Sequence, residues 1–320
     1  MLKKTMNVEK ELKSGRGEIK KLICNNIHIY IMLIPVVIYY FIFTYVPMYG
    51  LTLAFKSFKP GGMMEFLFGG KWQGLKYFRQ ILTDPLFLRA FKNTVIIGAM
   101  KIGIHFPLVI IFALFLNELR SNKLKNSVQT LTYLPHFFSW VVFGGIMIQL
   151  LSVEGGALSH FLSLMCGGKE VSPLTSPSAF RWVLLASTVF KETGWDAVIF
   201  LAAIAGVDQS LYEAASVDGA GRFRKMFYVT IPSILPTICT VLLIKISYIA
   251  SGDFDQVFMI YNTSVYETGD IIETYLYRIG IANGKFSMAT AMGIIKAVIS
   301  GTLLISCNKI TKKLTQTGIY

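Results

Sequence analysis

Charge is what this sequence has least of. Asp, Glu, Lys and Arg supply 15% of its 320 residues, where a soluble domain carries about 25%. With 53% hydrophobic residues and a mean hydropathy of +0.55, a soluble globular chain is excluded. Cysteine is as sparse. Cys24, Cys166, Cys239 and Cys307 stand far apart, at no spacing that fits a disulfide or a zinc clip, and read as isolated small apolar residues. His28, His105, His136 and His160 are equally scattered, so no metal site is expected, and His136 after Pro135 reads as a satisfied helix residue. Phosphate-loop chemistry is missing: Gly280-Ile281-Ala282-Asn283-Gly284-Lys285 is one residue short of G-x-x-x-x-G-K-[ST] and is followed by Phe286. No Ser-His-Asp set, no H-E-x-x-H and no carboxylate pair for acid–base work can be assembled. The expected chain is not an enzyme and binds no nucleotide.

What is present is apolar length. Runs near 29–51, 93–117, 128–151, 181–205, 231–251 and 286–307 each have about the 20 residues that cross hydrocarbon as a helix. They predict an all-α membrane protein with six spans. The first run is too long for a cleavable signal peptide and no small-residue cleavage site follows it, so it is read as a retained helix. The net charge of +13 is spread between spans and not gathered as a nucleic-acid patch would be. Lys3, Lys4, Lys10, Lys13, Arg16, Lys20 and Lys21 precede the first span. Arg120, Lys123 and Lys125 fill the next short connection, Arg222, Arg224 and Lys225 lie between spans four and five, and Lys309, Lys312 and Lys313 close the chain. The positive-inside bias makes these four segments, and both termini, cytoplasmic. Segments 152–180, with Lys169 as its cation, and 252–285 then face outward. Segment 52–92 disagrees: it should lie outside yet holds Lys56, Lys59, Lys71, Lys76, Arg79, Arg89 and Lys92. Its tail, Tyr77 to Phe91, is amphipathic and is expected along the interface.

One polar interruption is the most specific feature. Glu213-Ala214-Ala215, three spacers, Gly219, nine spacers and Val229-x-Ile231-Pro232 resemble the cytoplasmic EAA loop of permease subunits from binding-protein-dependent ABC importers. Ala and Glu favour a short helix from Tyr212 to Val217, Gly219 and Gly221 permit a sharp turn, and Pro232 suits the start of a span. In that family the element resembles a coupling helix that seats in a cleft of the ATPase. The resemblance assigns ATPase coupling to Glu213, Ala214, Ala215, Asp218 and Gly219. Phe43-x-Tyr45-x-Pro47-Met48-Tyr49-Gly50, Asn93-Thr94, Ala113-Leu114-x-x-Asn117-Glu118, Tyr133-Leu134-Pro135-His136-Phe137-Phe138-Ser139-Trp140 and Tyr266-Glu267-Thr268-Gly269-Asp270 look like the carbohydrate branch that takes up oligosaccharides. The match runs from about residue 30 to near the end.

The fourth run carries Lys191, Glu192 and Asp196, and a charge near the bilayer centre costs roughly 2.5–3.5 kcal/mol on insertion scales. Such residues need a polar or paired setting. Helical spacing puts Glu192 and Asp196 on one face and Lys191 beside Trp195, where carboxylates can accept from sugar hydroxyls and an indole can cover a sugar ring. The alternative is a structural charge cluster in which Lys191 neutralises a carboxylate. Lys245 and Lys296 can line a cavity or snorkel, and Tyr248, Asp253 and Asp255 are candidate outer-gate residues. The substrate-path set is therefore Lys191, Glu192, Trp195, Asp196, Lys245, Tyr248, Asp253 and Asp255. Gly98, Gly103, Gly293 and Gly301 are expected at close helix contacts.

The resemblance implies a type I ABC importer permease (MetI-like) fold in the cell membrane. A cytoplasmic arm would cover residues 1–28, a permease domain 29–308 with the coupling loop at 212–236, and a tail 309–320. Implied partners are a second homologous permease, two ATPase subunits that carry ATP and Mg, an extracytoplasmic solute-binding protein, an oligosaccharide and membrane lipid, with no nucleic acid. Two readings compete with it: an ABC importer for another solute class, and an ion-coupled secondary transporter using Lys191, Glu192 and Asp196 as a proton relay. The latter would have no use for the coupling loop and is expected to show inverted repeats, of which none is visible.

Overall fold

A computed structural model describes residues 25–58, 69–152, 155–165, 167, 172–249 and 253–315. The basic arm from Lys3 to Lys21, with Cys24, Lys59, Cys166 and Lys169, lies outside the described residues, as does most of the 1–28 segment. Among the described residues four helices are long and apolar enough to cross a membrane: α1 (Ile27–Phe55), α3 (Pro85–Asn117), α9 (Arg222–Ser247) and the Phe286–Lys309 part of α13 (Phe286–Thr315). Two bent pairs bring the number to six, α4 (Asn122–Phe137) with α5 (Trp140–Leu150) and α7 (Pro177–Ala205) with α8 (Gln209–Val217). The shorter elements are a strand pair, β1 (Lys56–Ser57) with β2 (Lys71–Trp72), and helices α2 (Lys76–Thr83), α6 (Ala157–Met165), α10 (Phe254–Ile260), α11 (Tyr266–Gly269) and α12 (Ile272–Tyr277).

Proline placement explains an irregularity that recurs along these helices. Helical turns widen at Phe41–Tyr45, Lys101–His105 and Met226–Thr230, and Pro47, Pro107 and Pro232 each follow two residues after the widened stretch. A proline ring collides with the carbonyl four residues back and offers no N–H to it. Widening the turn relieves both without ending the helix. This corrects the expectation for Pro232, which lies inside α9 and does not begin it: the helix starts at Arg222.

The run 128–151, expected as one straight span, is broken. Phe138 and Ser139 are extended, the Ser139 hydroxyl caps α5 by accepting from the Val142 amide at 3.3 Å, and the two helices meet at 97°. Similarly, the amphipathic tail ends at Thr83. Asp84 caps α3 by accepting from the Leu86 amide at 2.9 Å, with Pro85 at its first position.

Three apolar clusters hold the helices together. One joins Phe106, Val109 and Leu114 of α3 to Ala197 and Phe200 of α7 and to Ile234 and Val241 of α9. A second gathers Phe180 and Leu184 of α7 with Val257, Ile260, Val265 and Ile271. The third packs Ile81 of α2 and Phe87 and Ala90 of α3 on Tyr275 and Met292. Lipid tails are as apolar as these side chains, so within the spans the clusters hold through close van der Waals packing and not through removal of apolar area from water. Segment 252–285, expected as an outer loop, is thus a packed helical layer, with Gln256, Asp270 and Thr274 fully buried. The first helix α1 differs, because none of its spanning window is buried within the chain. The packing role expected of four glycines holds at Gly98, where an added Cβ would meet Ile249 at 2.6 Å, whereas Gly103 and Gly301 face open space.

Candidate functional site

A cavity of about 370 Å³ opens between α3, α7 and α9. Of the residues expected along a substrate path, Glu192, Asp196, Lys245, Tyr248 and Asp253 line it, joined by Lys101 and His105 of α3. Charges in this low-dielectric setting come in pairs. Lys245 Nζ lies 2.7 Å from Asp196 Oδ2, joining α9 to α7. Lys101 pairs with Asp253 and donates to Gln256 Oε1 at 2.5 Å. The Gln256 amide in turn donates to the Leu184 carbonyl at 2.8 Å and to Ser187 Oγ at 2.7 Å, fixing α10 against α7. The cavity wall is mostly apolar, with its Lys–Asp pairs set across α3, α7, α9 and the α10 end and with Trp140 and Val257 completing it.

Sequence reading missed Lys101 and Gln256 and left His105 among the scattered histidines. The signal was available for two of them: Lys101 and His105 are four residues apart in an apolar run, hence on one helical face, and the cost of burying Lys191 applies equally to Lys101.

Lys191 and Trp195 belong to a different structure. Lys191, 4% exposed, donates to the His136 carbonyl at 3.0 Å and to Glu192 Oε1 at 2.9 Å, and lies 4.9 Å from the Trp140 ring centre. Glu192 Oε2 is 2.6 Å from His136 Nδ1. Trp195 stacks on the His136 ring at 4.5 Å with planes 4° apart. An added Cβ on Gly194 would come within 2.3 Å of the Thr132 carbonyl oxygen, so only glycine lets the two backbones approach this closely. These contacts clamp the α4–α5 bend onto α7. One indole face, expected to cover sugar, is covered by His136, and Lys191 neutralises a carboxylate as in the structural alternative. Lys296 pairs with Glu273 and Asp255 sits on the first turn of α10, both off the cavity wall.

The helical layer from Asp253 to Lys285 is tied to α3 and α7 by residues of motifs that stand far apart in the sequence. Asn93 donates to the carbonyls of Glu267 and Asp270 at 3.0 Å each, Arg181 donates to Asn93 Oδ1 at 2.8 Å, and the Ile272 amide donates to Thr94 Oγ1 at 2.9 Å. Asp270, fully buried, accepts from Thr274 at 2.8 Å and pairs with Arg278 at 2.5 Å.

At the opposite end of α7 the chain turns by 72° into α8. The Asp208 carboxylate caps α8 by accepting from the Ser210 amide at 2.9 Å, and this bond holds its pKa below the ordinary carboxylate value. Gly219, at φ +75°, makes the left-handed turn that other residues resist. Tyr212 reaches Thr230 at 2.9 Å and Lys225 donates to Ser216 Oγ at 2.5 Å, closing a helix–turn–helix across the turn. Glu213, Ala214, Asp218 and Gly219 are exposed on it and Ala215 is half-buried. The same projection exposes Val217 (88%), Tyr228 (80%) and Phe223 (66%), an apolar surface of the kind that marks a protein contact.

Residues 105–314 match the family described as binding-protein-dependent transport system inner membrane component. The chain is 38% identical over 293 residues to the polygalacturonan/rhamnogalacturonan transport system permease protein YteP of Bacillus subtilis (strain 168), spanning 92% of this chain and 90% of the relative. It is 37% identical over 292 residues to Protein LplB of the same organism, spanning 91% of each. Among solved structures, a chain of a bacterial alginate ABC transporter, in complex with an alginate pentasaccharide-bound periplasmic protein, superposes with a TM-score of 0.84 at 35% identity, over 93% of this chain and 99% of that one.

Proposed function

The chain belongs to the family of binding-protein-dependent transport system inner membrane components, and from that premise we propose that its cavity and its projecting helix–turn–helix are two ends of one device that moves oligosaccharides. It is a multi-pass permease subunit of a carbohydrate ABC importer, with the all-α type I permease fold, and not an enzyme. The observation that carries the proposal is continuity. Helix α7 supplies Glu192 and Asp196 to the cavity and runs on through Ala205 into the coupling helix α8. A displacement of α8 by a partner is therefore passed across the 72° turn to α7, and along α7 to the cavity wall and its ion pair with Lys245.

In this reading two ATPase subunits, which hold ATP and Mg, grip α8 of this chain and of a second, homologous permease. A solute-binding protein delivers the sugar from the opposite side. Both termini and α8 face the cytoplasm. Hydroxyl groups of the cargo exchange hydrogen bonds with Asp196, Glu192 and Lys245 as the ion pairs loosen. Oligosaccharides bearing uronates are the first to test, since YteP and the alginate transporter are named for polymers of that chemistry.

The test is coupling. Glu213→Lys places a cation on the exposed face of α8, and Gly219→Pro demands a negative φ where the chain needs a positive one. Each variant should abolish uptake by the reconstituted complex while the permease remains in the membrane, and ATP hydrolysis should lose its dependence on the loaded binding protein. Normal uptake by both would refute the assignment of α8.

A further inference from the structure

Helix α2 turns its apolar side inward: Tyr77, Phe78 and Ile81 join the cluster around Tyr275 and Met292. Its opposite side carries Lys76 and Arg79, three residues apart and so on one face. With Gln73, Leu75 and Gln80 they line a shallow groove of about 490 Å³. The groove offers two cations and two amides, and no carboxylate lines it among the described residues. Neither Lys76 nor Arg79 makes an ion pair among the described residues.

Helix α2 ends at Thr83 and α3, whose apolar run begins near residue 93, starts at Pro85, so the groove lies within roughly two or three helical turns of that run. Leu75 (58% exposed) lines it, and Trp72 (68%) and Leu82 (56%) are exposed within two residues of its lining residues in the chain, an aromatic and two aliphatic side chains of the kind that settle at the membrane–water boundary. The cations of this segment break the charge bias of the other loops, and an anion at headgroup level accounts for them.

We propose that this groove holds the phosphate of an anionic phospholipid headgroup. Lys76 and Arg79 pair with its oxygens, Gln73 and Gln80 donate to it, and Trp72, Leu75 and Leu82 lie against the adjoining acyl chains. The apolar flank favours a lipid over an acidic protein surface, which would leave those three side chains in water.

The assembled transporter, with its partner subunits, is placed in discs of phosphatidylcholine with or without phosphatidylglycerol, and the retained lipid is counted by native mass spectrometry. Lys76→Gln/Arg79→Gln should weaken phosphatidylglycerol retention on the order of 30-fold, each cation contributing a factor of about five, with phosphatidylcholine retention unchanged. The charge-preserving pair Lys76→Arg/Arg79→Lys should keep it, and inorganic phosphate should not compete. Native retention by the Gln variant would overturn the proposal. So would competition by inorganic phosphate, which would make the groove a free-anion site. Unchanged lipid retention with weakened stimulation by the solute-binding protein would overturn it in favour of an acidic protein partner.

Discussion

Glu192→Gln should destabilise the chain, and Lys191→Met should rescue it. Glu192 accepts from the buried Lys191 at 2.9 Å and meets His136 Nδ1 at 2.6 Å. Removing its charge strands the Lys191 ammonium, whose side chain is 5% exposed and whose other oxygen partner is the His136 carbonyl. Breaking one side of a buried pair costs about 3–5 kcal/mol. The 19% exposure of the Glu192 side chain lets water reach the site and places the expected loss near the lower end, roughly 3 kcal/mol. At roughly 2–4 °C per kcal/mol for large domains, the melting point of the purified complex should fall by roughly 6 °C or more. In the double variant no unpaired cation remains, and the replacement of an ion pair by apolar contact is often close to neutral. Thermal unfolding of the four species in one double-mutant cycle, with uptake per assembled complex measured alongside, decides the matter. If Glu192→Gln melts with the native protein, or if the double variant is no more stable than the single one, the clamp is wrong.

Two further outcomes follow from the ends of α7. The Ser210 amide bond depresses the Asp208 pKa, so the cap is fully present above the unfolded carboxylate pKa and is lost as pH falls through the lower folded value. Protection of the Leu211 to Ala215 amides, taken relative to their intrinsic exchange rate at each pH, should fall only across that acid window, and Asp208→Ala should be weakly protected at every pH; a native protein whose protection is insensitive to acid would refute the cap. With native cysteines removed, Ser216→Cys on α8 should react with an impermeant thiol reagent only in opened vesicles, and Ser264→Cys, exposed on the outer layer, in intact cells; the reverse pattern would invert the orientation.

The spans, the helix–turn–helix around Gly219 and the family were legible because each is written locally, in apolar length and in a motif of fixed spacing. The 97° break between α4 and α5 was not. Its apolar content reads as one run, and what breaks it is a Ser139 cap, together with a tertiary clamp from residues more than fifty positions away. The candidate cavity was half legible. Glu192, Asp196 and Lys245 stood out as charges in apolar runs, and so does Lys101 by the same argument, but which cation meets which carboxylate depends on helix rotation. Trp195 shows the limit: its position on the helix was clear, while the His136 ring stacked against it could come only from the fold.

The most direct test of the account is ATP-driven uptake through the cavity in proteoliposomes holding this permease with its partner permease, ATPase and solute-binding protein. Ile244, 44% exposed, lines the cavity, and Ile244→Trp should fill it without disturbing the coupling loop. The account predicts that the native complex accumulates oligosaccharide only with ATP and loaded binding protein, and that Ile244→Trp blocks accumulation while binding-protein-stimulated hydrolysis continues. Accumulation driven by an ion gradient without ATP, or undiminished passage through the Ile244→Trp complex, would contradict it.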